Sequence, residues 1–132
     1  MRMSSREERK LISRRRNLQR AIEDMDGKPI LVEGKKDREA LRRCGIIGKI
    51  VLINRKPQEL CGSLAGANEA VILTDFDEQG EELSVILGEH LRSYGIRPNT
   101  ECRRRLRYSL GLRVFQEMDR RLEEFRIELQ KI

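Results

Sequence analysis

The chain has 132 residues, 38% of them apolar and 38% charged, with no Trp, two Tyr and three Phe. That length suits one domain. The apolar share supports an aliphatic core and argues against wholesale disorder, while the charged share exceeds the usual ~25% and demands much solvated helix surface. No apolar run reaches the ~18 residues of a membrane span, and the first residues are Arg and Glu rather than an apolar leader core. The expected location is cytoplasmic, with no membrane partner. Cys44, Cys61 and Cys102 lie far apart and form no C-x-x-C pair, which speaks against a zinc site or a disulfide framework. Buried free thiols are expected instead. The single histidine, His90, excludes chemistry needing two imidazoles and reads as a helix-surface residue.

Residues 5–25 are expected to form a helix, with Leu11, Leu18, Ile22 and Met25 at helical spacing. Gly27 and Pro29 end it. Pro29–Gly34 reads as a buried strand of parallel type, and Lys36–Cys44 as a helix with Ala40, Leu41 and Cys44 on one face. Lys49–Ile53 is a second strand, and Pro57 opens a helix running to about Leu64. Ala70–Thr74 is a third strand. Glu78–Tyr94 is a long helix with Leu83, Ile86, Leu87 and Leu91 inward, stopped by Gly95. Ile96–Thr100 is a short fourth strand. The alternation predicts an α/β fold, a Rossmannoid parallel sheet of about four strands flanked by helices, with further helices at both ends. The tail, 111–131, is expected to be a helix with Leu112, Phe115, Leu122, Phe125, Leu129 and Ile132 near heptad spacing. That stripe packs on the first helix or the sheet, or forms a homodimer seam. Three segments result: a basic helix over 1–26, an α/β domain over 27–100 and a basic helical extension over 101–132.

The net charge of +6 sits in the two ends, since residues 27–100 are neutral. Of the 28 basic residues 21 are Arg, the side chain best suited to bidentate phosphate contacts. The clusters Arg14, Arg15, Arg16 and Arg103, Arg104, Arg105, Arg107 read equally as solvated helix faces or as nucleic-acid contacts.

Parallel α/β sheets place their sites at the carboxyl ends of the strands. Glu33 and Gly34 follow the first strand; Asp75, Phe76 and Asp77 follow the third. Three carboxylates at one edge repel one another unless a cation or a proton intervenes, and an all-oxygen set favours Mg²⁺ or Mn²⁺ over zinc. Gly34 admits a ligand close to the backbone. Lys35 and Lys36 at a helix start suit a phosphate, and Gly80 opens the long helix in the same way. Capping is the competing reading: Asp77 caps the helix at Glu78 and Asp37 the earlier one.

The run Ile30-Leu31-Val32-Glu33-Gly34-Lys35-Lys36-Asp37 resembles the first motif of the Toprim domain, and Val71–Glu81, with Asp75-Phe76-Asp77 and Gly80, resembles the second. The resemblance covers roughly residues 28–100. It implies the fold of a domain shared by type IA and type II topoisomerases, bacterial-type primases, OLD-family and rRNA-maturation nucleases and RecR proteins, and here the small stand-alone members. It further implies that Glu33 acts as general acid/base or metal ligand, that Glu33 and Asp75 hold a catalytic ion, and that Asp75 and Asp77 hold a second. Gln79 stands where topoisomerases often carry a third aspartate. With Tyr94 and Tyr108 in or beside helices, topoisomerase chemistry is not expected. The expected function is Mg²⁺-dependent (or Mn²⁺-dependent) phosphodiester cleavage or phosphoryl transfer on DNA or RNA, using one or two ions. The alternatives are a non-catalytic, RecR-like metal- and nucleic-acid-binding module and a primase-like nucleotidyl transferase.

Overall fold

A computed structural model describes residues 3–132; residues 1 and 2 of the expected N-terminal segment lie outside the described residues. The elements, in chain order, are α1 (Ser5–Met25), β1 (Ile30–Val32), α2 (Lys35–Arg43), β2 (Ile50–Leu52), α3 (Pro57–Gly62), β3 (Glu69–Leu73), α4 (Glu78–Ser93), β4 (Arg97–Asn99), α5 (Glu101–Leu110), a single 3₁₀ turn (Phe115–Glu117) and α6 (Met118–Leu129). The four strands form one parallel sheet in the order β2-β1-β3-β4. Every strand residue of β1 and β3 is buried, as expected for a sheet covered on both faces.

Strand alternation sorts the apolar residues into two cores. Ile30, Val32, Val71 and Leu73 face the layer that holds α1, α2, α5 and α6. Leu31, Ala70 and Ile72 face α3 and α4. Order 2-1-3-4 means that the chain steps outward from β1 to β2 and then returns past β1 to β3. The switch point therefore falls between β1 and β3, where open α/β sheets bind ligands. In the register Val32 lies beside Leu73, so Glu33 and the Asp75–Asp77 loop leave the sheet side by side.

Three expectations about helix faces need correction. In α1 the buried residues are Leu11, Ala21 and Met25, and Ile22 is exposed; Ala21 is the residue small enough to let α1 lie against α5. In α4 the buried face is Gly80, Ser84, Leu87, Gly88 and Leu91, and Ile86 is exposed. Small residues on that face bring α4 close to the sheet, and a side chain at Gly80 would strike the Asp75 carbonyl. The tail is not one helix from 111. Gly111 adopts a left-handed φ of 65° and caps α5, and the chain crosses the end of β3 before α6 begins at Met118. The tail stripe is turned inward: Leu112, Phe115, Leu122 and Phe125 are buried in the core shared with α1 and the sheet, Leu129 packs on its margin, and Ile132 is exposed. No helix among the described residues is long and apolar enough to cross a membrane. Cys61 and Cys102 are buried free thiols and Cys44 is half-buried.

Candidate functional site

Glu33 leaves β1 and turns toward β3, where its Oε2 accepts a 2.6 Å hydrogen bond from the Asp75 N–H. Asp75 Oδ1 accepts from the Phe115 N–H at 2.9 Å, and the Phe76 N–H donates to the Arg113 carbonyl at 3.0 Å. The segment between α5 and α6 is thereby laced to the end of β3. Asp77 is the N-cap of α4, its Oδ1 accepting from the Gly80 N–H at 2.6 Å. Asp37 Oδ2 accepts from the Gly34 N–H at 3.0 Å. Glu33, Asp75 and Asp77 thus each spend one oxygen on a backbone amide, while Asp37 is held by the amides of both Gly34 and Gln116.

The carboxylates crowd one another, with the Arg103 guanidinium as the opposing charge nearby. Burial pushes Glu33 above the ordinary glutamate range, and the charges of Asp75 and Asp77 add to it. Burial does the same to Asp75, opposed by the hydrogen bond from Phe115 and reinforced by Asp77. Asp37 is pushed up to about 6, mainly by burial and then by the charge of Asp75. Asp77 is exposed. The donor chemistry fits a hard divalent cation, since every candidate ligand is a carboxylate oxygen. As the side chains stand, no group of three or more His, Cys, Asp or Glu among the described residues is already spaced for a metal ion. Asp75 and Asp77 are the residues that would hold one, through the oxygens not engaged by the backbone, with Glu33 beside them as a further ligand or as general acid/base.

The glycines beside the site serve different ends. Gly34 has an extended backbone with φ −151°, and an added Cβ would meet nothing closer than Asp37 Oδ2 at 3.9 Å. Neither strain nor packing within the chain calls for glycine there. A Cβ on Gly80 would lie 1.9 Å from the Asp75 carbonyl oxygen, so Gly80 is a packing requirement. Its N–H is engaged by Asp77 rather than open to a phosphate. Lys35 and Lys36 are exposed on the first turn of α2, beside Gly34.

The arginines divide. Arg103 is buried and is not a surface contact. Its guanidinium donates to the Thr74 and Asp75 carbonyls at 2.7 and 2.5 Å and to Glu81 at 3.0 and 3.2 Å, and it lies 4.4 Å over the Phe76 ring. It fastens the loop after β3 to α4 and α5. Arg14 is also engaged, with the Ser109 carbonyl at 2.9 Å, Glu128 at 3.0 Å and the Phe125 ring at 4.4 Å. Arg15, Arg16, Arg104 and Arg107 are exposed; Arg104 pairs with Glu101, Arg105 is half-buried 3.6 Å from the same carboxylate, and Arg107 lies 5.2 Å from the Phe76 ring centre. Two parts of the site were not foreseen. Asp37, weighed only as a helix cap, joins the acidic group because it sits one helical turn beyond Glu33. The amide of Phe115 comes from a segment distant in sequence, with no local signal.

An α/β protein with a Rossmann-like sheet and an acidic site at its switch point is the class these features define. No protein-family model matches the chain. It is 37% identical over 99 residues to UPF0292 protein PH1700 of Pyrococcus horikoshii, a match covering 64% of this chain and 75% of that protein. It is 35% identical over 111 residues to the UPF0292 protein of Thermococcus onnurineus, covering 74% and 84%. The chain belongs to the UPF0292 family. A solved structure from Aquifex aeolicus shares the fold, with a TM-score of 0.67 at 22% identity over 78% of this chain and 95% of that one.

Proposed function

We propose that the chain is a Toprim-type enzyme that uses a divalent cation to cleave, or transfer phosphoryl groups at, phosphodiester bonds of nucleic acid. The observation that carries this reading is the meeting of Glu33 and Asp75 at the switch point, where the Asp75 N–H donates to Glu33 Oε2 and burial, with the charge of Asp77, raises both above the ordinary carboxylate range. Asp77 joins them as the N-cap of α4. A bound Mg²⁺ or Mn²⁺ would polarise the phosphate and offset charge developing on its oxygens. Glu33 Oε1, the oxygen left free by the Asp75 N–H, takes the proton of the attacking water as its oxygen bonds to phosphorus. It returns that proton to the leaving oxygen as the old P–O bond breaks. A carboxylate with a raised pKa suits both halves of that exchange. Lys35 and Lys36 meet the phosphates flanking the scissile one, and the glycine at 34 leaves room for the backbone of the strand.

The test is a cleavage panel of labelled single- and double-stranded DNA and structured RNA, with Mg²⁺ and then Mn²⁺. Cuts are expected from the wild type, with at least a ~10²-fold loss in Glu33→Gln, the scale of a general acid–base contribution. Equal activity in Glu33→Gln would overturn the role of Glu33. One observation favours a second reading, a RecR-like binding module: backbone amides hold Glu33, Asp37, Asp75 and Asp77 in place, a structural role these carboxylates fill without any turnover. Salt-sensitive binding of nucleic acid without cuts would select it.

A further inference from the structure

A groove of about 510 Å³ lies between α4 and α5, and one of its walls is Phe76, the residue between Asp75 and Asp77. Its floor is fixed by Arg103, which is held by the Thr74 and Asp75 carbonyls and Glu81. Its lips carry three further arginines, Arg92 from α4 and Arg104 and Arg107 from α5, and all three are exposed. Between the arginines the wall offers apolar surface from Pro98 and the 62%-exposed Val85, while the Phe76 ring lies under the Arg103 and Arg107 guanidiniums. Glu81, Glu89 and Glu101 also line it. Glu81 is neutralised by Arg103 and Glu101 by Arg104 and Arg105.

We infer that this groove is the track for a single nucleic-acid strand leading to the acidic site, with backbone phosphates on Arg92, Arg104 and Arg107. The inference rests on the nucleic-acid reading above and adds where the strand runs and in what form. The volume falls within the ~300–1,000 Å³ of small-ligand sites, so what enters it is part of one strand. Alternating guanidinium and apolar surface is what a single strand demands, phosphates on the charges and bases on the apolar wall. Arg104 and Arg107 are three residues apart and so share one side of α5. The Arg104–Glu101 pair is exposed on both sides, and such pairs are weak enough for a phosphate to displace the carboxylate. Arg107 makes no salt bridge among the described residues, and its guanidinium lies over the ring that separates the two aspartates. A strand on these arginines therefore reaches Phe76, the residue between Asp75 and Asp77, although neither aspartate lines the groove.

The experiment is fluorescence anisotropy with a short fluorescein-labelled oligothymidylate and oligouridylate, in EDTA, over a range of salt, with a duplex of equal length for comparison. The proteins are the wild type, Arg104→Glu/Arg107→Glu and Arg15→Glu/Arg16→Glu, each checked for an unchanged circular dichroism spectrum. The groove variant is expected to bind the single strand at least about tenfold more weakly, and to lose about 1.4 from the salt slope at about 0.7 per phosphate contact. The α1 variant is expected to match the wild type. Unchanged binding in the groove variant, an equal loss in the α1 variant, or preference for the duplex would each overturn the inference. Because EDTA removes divalent cations, this outcome is independent of the acidic site. A wild type that binds single strands in the groove and never cleaves them keeps the track and loses the enzyme.

Discussion

Gly34 and Gly80 flank the acidic site, and different constraints act on them. Gly80 lets the first turn of α4 lie on the Asp75 carbonyl, where a Cβ would approach to 1.9 Å. Gly80→Ala is expected to cost about 3 kcal/mol in urea unfolding, the upper end for overpacking against a wall that cannot yield. Gly34→Ala has no such neighbour, and its backbone is one that any residue adopts. It is expected to change stability by no more than about 1 kcal/mol, while activity falls because the methyl group stands where a strand would approach. If Gly34→Ala unfolds the protein, or leaves cleavage untouched, the reading of that glycine as ligand space is wrong. The same scale shows what the sequence could disclose. Glu33, Asp75 and Asp77 were legible because each follows a strand that its own apolar run defines. Asp37 was ambiguous, since an acidic residue in a first helical turn caps as readily as it joins a site. Arg103 was misread because a run of arginines reveals nothing about which of them points inward.

Among the elements, the junction of α1, β3, β4 and α5 is held by a polar network rather than by apolar contact alone. Glu69 at the start of β3 accepts from Asn99 at 2.6 Å and pairs with Lys28 at 2.9 Å and with Arg97. Asp24 of α1 accepts from the same Asn99 and pairs with Lys28 at 2.6 Å. The hydrogen bond from Arg97, ahead of those from Asn99 and Lys28, draws Glu69 down to about 2 from an ordinary 4.5. A carboxylate depressed in the folded state stabilises the protein above its unfolded pKa and loses that contribution as pH falls through the folded one. Thermal stability should therefore decline from about pH 4.5 toward pH 2. Glu69→Gln should flatten that decline, at a small cost at neutral pH, because Arg97 is exposed and Lys28 keeps Asp24 as a partner. A variant whose melting temperature follows pH as the wild type does would show that another group sets the acid limit. This network was invisible in the sequence, since its members come from α1, the turn after it, β3 and β4. The strands themselves were read to within a residue or two, because short apolar runs between turn signals leave little choice. The helix faces were less legible. In α1 and α4 the side that packs is chosen by small residues, Ala21, Gly80, Ser84 and Gly88, and periodicity of large apolar residues points elsewhere.

At the scale of the molecule, the two chain ends complete one side of the α/β core. Phe115, Met118, Leu122 and Phe125 share a cluster with Leu11 and Met25 of α1 and with Ile30, Val32 and Leu73 of the sheet. Burying side chains of that kind contributes about 1.5–3 kcal/mol each, so four of them rival the ~5–15 kcal/mol stability of a typical domain. A chain ending at Leu110 is expected to lose its cooperative unfolding transition in circular dichroism. A sharp transition in that truncated chain would show that the core stands without its last two elements. The tail also carries the amide that holds Asp75, so this covering layer and the acidic site are built together. The sequence announced the apolar stripe of the tail but not the break at Gly111, which turns the chain across the end of β3.

The central claim is that the carboxylates at the β1–β3 switch point hold a divalent cation, and Mn²⁺ binding followed by electron paramagnetic resonance tests it most directly. Titrating Mn²⁺ into the wild-type protein should suppress the free-ion signal in proportion to one or two sites per chain. Asp75→Asn, which removes charge at the centre of the cluster while retaining an acceptor for the Phe115 amide, should restore it. A free-ion signal in the wild type equal to that of buffer, or suppression undiminished in Asp75→Asn, would contradict the account.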